Sequence, residues 1–141
     1  MVAKQVSVKV VGLSDLRREL KKLDDSDEFN AELKEVNFEI ADTVVGRAKV
    51  FASTKLQRRA AQSLKAGRGA SRATISGGGA QTPFFGGAEF GSIQYTQFEP
   101  WRGNDRSAGY FLYPTIRNST DEIVEMYGDA LEKITARAFP D

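Results

Sequence analysis

Residues 29–51 read Phe29-Asn30-Ala31-Glu32-Leu33-Lys34-Glu35-Val36-Asn37-Phe38-Glu39-Ile40-Ala41-Asp42-Thr43-Val44-Val45-Gly46-Arg47-Ala48-Lys49-Val50-Phe51. Phe29, Leu33, Val36, Ile40, Val44, Ala48 and Phe51 fall three or four residues apart, which is one apolar stripe of a helix. At 1.5 Å per residue this helix spans about 34 Å. A chain of 141 residues has a radius of gyration of roughly 14 Å, so the helix nearly crosses the molecule. It is the spine against which the remaining elements must pack, and the stripe reads as core, not as a ligand site.

Outward from the spine the patterns shorten. Leu56, Ala60 and Leu64 continue the helical spacing after a break near Ser53-Thr54, with Arg58, Arg59 and Lys65 on the outer side. On the N-terminal side, Asp24-Asp25-Ser26-Asp27 interrupts the pattern and puts acids at the positive end of the helix dipole. Before it, Leu13, Leu16, Leu20 and Leu23 predict a short helix over 14–23 with Ser14 as its cap. Val6, Val8 and Val10 alternate with Ser7 and Lys9, a strand pattern that Gly12 ends. Eight glycines lie between Gly67 and Gly91, which predicts a flexible loop or hairpin, since glycine weakens helix and strand interiors. Neither a dinucleotide fingerprint nor a Gly-Lys-Ser/Thr phosphate loop is present. Short strands are expected at Ala73–Ser76, Ala88–Ile93, Tyr95–Phe98 and Tyr110–Tyr113. Ile116, Ile123, Tyr127, Leu131 and Ile134 then line a C-terminal helix. It starts either at Pro114, whose missing N–H suits a first turn, or at Ser119-Thr120-Asp121-Glu122, which has capping-box spacing.

Composition narrows the chemistry. The chain is 40% hydrophobic and 28% charged, as expected of one globular domain over 1–141. It has no Cys and no His, which excludes disulfides, thiolate zinc sites, and Ser-His or Cys-His nucleophiles. No apolar run reaches the ~20 residues of a membrane span, and no secretory h-region opens the chain, so neither membrane insertion nor export is expected. Glu89 and Glu99 beside the short strands are the candidates for a carboxylate pair of the glycosidase kind. Acids in such places are usually surface groups, so no enzyme activity, cofactor or metal is expected.

The net charge of +1 conceals segregation. Residues 43–88 hold eight cations (Arg47, Lys49, Lys55, Arg58, Arg59, Lys65, Arg68 and Arg72) and no acid. Residues 1–42 carry seven cations against ten acids, and residues 89–141 five against nine. Such a segment is either a solvated face balanced by the acidic ends of the same fold, or a surface for a polyanion or acidic partner. Phe84, Phe85, Phe90, Tyr95, Phe98, Trp101, Tyr110, Phe111 and Tyr113 make residues 84–113 dense in aromatics. With Arg72, Arg102 and Arg106 nearby they could stack on bases, but core filling is the expected use.

Three strings, in this order, resemble the gene-product-ten-like tail-component family of long-tailed bacteriophages. Val11-Gly12-Leu13-Ser14-Asp15-Leu16 is similar to the Gly-Leu opening before the family's first helix. Glu89-Phe90-Gly91-Ser92 resembles its Glu-Phe-Gly-Thr. Gly109-Tyr110-Phe111-Leu112-Tyr113-Pro114-Thr115-Ile116-Arg117 resembles its aromatic-Leu-x-Pro-Ala approach to the last helix. Between them, Gln97-Phe98 and Trp101-Arg102-Gly103-Asn104 look like the form found in phages of actinobacteria. Thr115 stands where the family has Ala, and Ser63-Leu64-Lys65-Ala66-Gly67 departs from the family's Pro and Gly-x-Leu loop. The resemblance implies an α+β fold, with a small antiparallel sheet packed against a long central helix and a C-terminal helix, and a glycine-rich loop over 67–91. It implies a structural virion protein of the head–tail junction that forms a ring with copies of itself. Its further partners would be head-completion or connector proteins and tail-terminator or tail-tube proteins, with non-specific contact to genomic DNA in the channel. Arg58, Arg59, Lys65, Arg68 and Arg72 are then the candidate subunit-interface or DNA-facing residues. The alternative from the residues themselves is a small nucleic-acid-binding module using the basic segment 47–72.

Overall fold

The computed structural model describes residues 4–8, 15, 18–19, 21–23, 26–103 and 108–139. The fold is α+β. Strand β1 (Lys4–Val8) is followed by the long helix α1 (Ser26–Phe51), helix α2 (Lys55–Ala61), strands β2 (Lys65–Ala66) and β3 (Ala73–Gly77), and helices α3 (Phe85–Phe90), α4 (Leu112–Asn118) and α5 (Thr120–Ala138). The strands form one antiparallel sheet in the order β1-β3-β2. Lys4 pairs with Gly77 and Val8 with Ala73, while Lys65 pairs with Ser76. The middle strand alternates as the pleat requires: Ala73, Ile75 and Gly77 are buried and Thr74 and Ser76 half-buried.

Helix α1 contacts both β2 and β3 and, elsewhere, α4 and α5. Its buried residues Ile40, Val44 and Ala48 join Ile75, Phe85, Phe111, Leu112, Ile123 and Tyr127 in the larger core cluster. Phe85 and Phe111 meet edge-on there, with ring centroids 5.7 Å apart. At the other end of α1, Phe29 and Leu33 pack with Ala70 and Ile134. Arg47 braces the helix pair, donating to Ser119 Oγ (3.2 Å) and pairing with Glu122 (2.6 Å).

The break at Ser53-Thr54 is a complete capping box. Thr54 Oγ1 accepts from the Gln57 amide at 3.1 Å, and the buried Gln57 side chain accepts from the Thr54 and Ser53 amides. Helix α2 stops at Ala61, so Leu64 packs from the turn before β2 and not from the helix.

Several expectations are overturned in the second half. Ala88–Ile93 is not a strand; its first half belongs to α3, and Tyr95–Phe98 is a turn within the following loop. Tyr110–Tyr113 is not a strand either, because it leads directly into α4. The glycine-rich stretch 67–91, expected as a loop or hairpin, holds the connection of the β2–β3 hairpin and β3 itself, then a turn and α3. Both proposed starts of the C-terminal helix exist: Pro114 stands in the first turn of α4, and Ser119 separates α4 from α5. Ser119 makes no side-chain cap, since its hydroxyl faces Arg47. Of the helix expected over 14–23, Asp15, Arg18 and Glu19 are helical; Val10, Gly12, Leu13, Ser14, Leu16 and Leu20 lie outside the described residues.

Candidate functional site

Two of the three strings meet at one buried joint. Glu89, on α3, has no solvent-exposed surface. Its Oε2 accepts from the Phe111 and Leu112 amides, each at 3.0 Å, and its Oε1 from the Tyr113 amide at 2.8 Å. These belong to the unpaired donors that open every helix. The next residue, Pro114, has no N–H to satisfy, and the Thr115 N–H already reaches the Phe111 carbonyl. Glu89 and Pro114 therefore complete the start of α4 between them, from positions more than twenty residues apart. Gly109 passes so close that a Cβ there would lie 2.7 Å from Glu89 Oε1, at a φ of +100°. The hydroxyl of the buried Thr115, where the resembled family has Ala, is satisfied by the Phe111 carbonyl at 2.6 Å.

Burial pushes the Glu89 carboxyl above the ordinary glutamate range, and the amides of Tyr113, Leu112, Phe111 and Tyr110 draw it partly back. A folded-state value above the unfolded one means that the native state holds this proton more tightly. Stability from this group is thus greatest below about pH 4.3 and falls as pH rises through the folded-state value. Glu89→Gln has no such proton and should lack that slope. Urea unfolding of both proteins between about pH 4 and pH 8 measures the difference.

The loop after α3 is held as closely as the joint. The Ser92 amide donates to the Glu99 carbonyl (2.9 Å), the Arg102 amide to the Phe90 carbonyl (2.8 Å), and Ser92 Oγ accepts from the Gln94 and Tyr95 amides. Glu99 is exposed on this loop while Glu89 is sealed inside, so the two carboxylates share no cleft and cannot form the pair that glycoside chemistry requires. The aromatics do not form one platform. Phe85, Phe90 and Phe111 are core; Phe84, Phe98, Tyr110 and Tyr113 are half-buried; Tyr95 and Trp101 are exposed. Arg102 stacks on Tyr110 at 3.6 Å, Arg72 belongs to the β2–β3 hairpin, and Arg106 lies outside the described residues.

The basic candidates separate into two kinds. Arg68 is engaged by its own fold: it pairs with Glu35 at 2.7 Å and lies 3.7 Å from the centre of the Phe38 ring. Arg58, Arg59, Lys65 and Arg72 are exposed, and none has a carboxylate partner among the described residues. On α2, Gln57, Ala60 and Ala61 face inward, so Lys55, Arg58 and Arg59 share the outer face. Arg58 donates to the Ser53 carbonyl, and Arg59 stands 5.0 Å from the Phe84 ring centre.

The hairpin that carries Arg68 and Arg72 is fixed by a polar chain that the sequence reading missed. Asn37, fully buried on α1, donates through Nδ2 to the Gly69 carbonyl at 2.7 Å and accepts through Oδ1 from the Tyr127 hydroxyl of α5. Burial pushes the Tyr127 phenol up to about 12, against the lowering effect of the Ala73 amide beside it, so it remains a protonated donor near neutral pH. Tyr127→Phe should cost about 1–2 kcal/mol by leaving the Asn37 oxygen unpaired. It is read as a lower urea midpoint at unchanged slope. An Asn centred in an apolar stripe was the only available signal.

No family model, curated protein or solved structure matches the chain. Among the described residues, no helix is long and apolar enough to cross a membrane.

Proposed function

We propose that this chain is a structural subunit of the head–tail junction of a long-tailed bacteriophage, working in the virion as one copy in a ring. The observation that carries the reading is the Glu89 joint. Two strings by which the sequence resembles the phage tail-component family, one in α3 and one opening α4, are the two halves of a single buried device. This gives those residues a shared architectural reason, and it leaves the principal buried carboxylate committed to backbone amides. Gly12 and Leu13 of the remaining string lie outside the described residues.

In this role the chain binds copies of itself, head-completion or connector proteins on one side, and tail-terminator or tail-tube proteins on the other. The test is sedimentation of the pure protein at rising concentration, alone and with connector and tail components, followed by imaging. Closed rings, or incorporation between those components, are the expected outcome. A monomer at every concentration that joins none of them overturns the reading.

The exposed cations Lys55, Arg58, Arg59, Lys65 and Arg72 favour a second reading, a face that touches DNA through its phosphates. Binding to mixed-sequence duplex DNA would then weaken steeply with salt and be lost on replacing these residues by Ala.

A further inference from the structure

Helices α1 and α5 enclose a groove of about 430 Å³. Its floor is apolar, from Val36, Met126 and Ile134, and its walls carry Glu39 on α1 and Asp129 on α5. Two other acids of the walls are already used, Glu32 by Arg137 and Glu35 by Arg68, whereas Glu39 and Asp129 have no ion-pair partner among the described residues. Lys133 stands on the same wall and offsets one of these charges. Exposed Asp42, Glu125 and Glu132 extend the negative surface along both helices. A greasy floor under a carboxylate rim suits a Lys or Arg side chain, whose methylene stem prefers apolar contact and whose head seeks an anion.

The same molecule carries the complement. The outer face of α2 presents Lys55, Arg58 and Arg59, and Lys65 follows on β2, all exposed and none paired with a carboxylate among the described residues. The acid-free segment 43–88 and the acidic helices thus remain only partly neutralised within the fold. We infer that the α1–α5 groove is the docking site for the cationic α2–β2 face of a second copy of this chain. The inference rests on reading the chain as a self-assembling subunit, and it supplies that subunit with its contact. The two faces are distinct surfaces, so the contact is heterologous. Each bound copy leaves one groove and one cationic face open for the next, until a ring closes.

The experiment uses the full chain and two charge-reversed variants, Glu39→Lys with Asp129→Lys, and Lys55→Glu with Arg59→Glu. In analytical ultracentrifugation at low salt the wild type should self-associate. Each variant alone should associate at least about tenfold more weakly, because like charges now meet. An equimolar mixture should regain association, since the positive face of one variant fits the intact groove of the other, and the reversed face fits the reversed groove. That mutual rescue also shows that both variants fold. Raising salt from about 50 to 500 mM should weaken the wild-type contact.

Self-association of both variants at wild-type strength, or two monomeric variants that do not rescue each other, overturns this docking while leaving the ring reading intact. A wild type that stays monomeric at every concentration overturns the docking, and the ring falls with it only if the protein also joins no connector or tail component. Loss of DNA binding in the Lys55→Glu/Arg59→Glu variant, with its self-association unchanged, assigns the cationic face to nucleic acid and also overturns the docking.

Discussion

Glu89→Ala is expected to lower the stability of the fold by about 4 kcal/mol. Three backbone amides, of Phe111, Leu112 and Tyr113, lose their acceptor at once. Each buried unpaired group costs about 1–3 kcal/mol, and water that enters the vacated space recovers only part of it. Against a typical total of about 5–15 kcal/mol this is a large fraction. The melting temperature should fall on the order of 10 °C. Glu89→Gln should lie between the two proteins, because its oxygen still serves Phe111 and Leu112 while its NH2 confronts the Tyr113 N–H. Glu99→Ala is the control. The loop uses the Glu99 backbone carbonyl, not its exposed side chain, so the change should stay within about 0.5 kcal/mol. Equal losses for Glu89→Ala and Glu99→Ala in calorimetry would refute the capping role.

Gly91→Ala is expected to cost about 3 kcal/mol or more. Gly91 sits at φ +84° and ψ −175°, a region essentially restricted to glycine. A Cβ there would stand 2.2 Å from the Pro100 carbonyl oxygen and 2.7 Å from that of Glu99, both backbone atoms. Relief requires moving the segment whose Glu99 carbonyl holds Ser92, so the loop as well as the global stability should respond. Hydrogen exchange of the Ser92 and Arg102 amides reads the local part. The contrast is Gly46→Ala on the exposed side of α1, where nothing lies within 4 Å of the added methyl. There the change should stabilise by about 1 kcal/mol through helix propensity alone. The same substitution thus carries opposite signs at Gly46 and Gly91, and only geometry separates them.

What was readable in the sequence follows the range of the interactions involved. Helix α1 announces itself because a 26-residue helix repeats its apolar stripe many times. Strand β3 shows the alternation of a half-buried pleat within its own five residues. Helix α3 has six residues, two of them Gly86 and Gly87, a composition that disfavours a helix in isolation. Its conformation is imposed from outside, by Phe85 in the core and by the partners of Glu89. The glutamate was legible as part of a string that resembles one of the phage family but not as a cap, because its partners are backbone groups that carry no side-chain identity. Asn37 was hidden for the same reason: one of its two partners is the Gly69 carbonyl. The charge segregation was visible at once. What it did not reveal is that Arg68 spends its charge inside the fold, while the outer face of α2 keeps its own.

The sheet order also bears on how the polypeptide acquires its shape during synthesis. Strand β1 leaves the ribosome well before its partner: among the described residues it pairs with β3, some seventy residues later. At about 5–20 residues per second the earlier segment waits roughly 4–15 seconds for its mate. Lys4, Gln5 and Ser7 beside Val6 and Val8 keep that waiting segment from being uniformly sticky. The nascent chain can complete α1 in the meantime, and so it offers a finished platform when the central strand arrives.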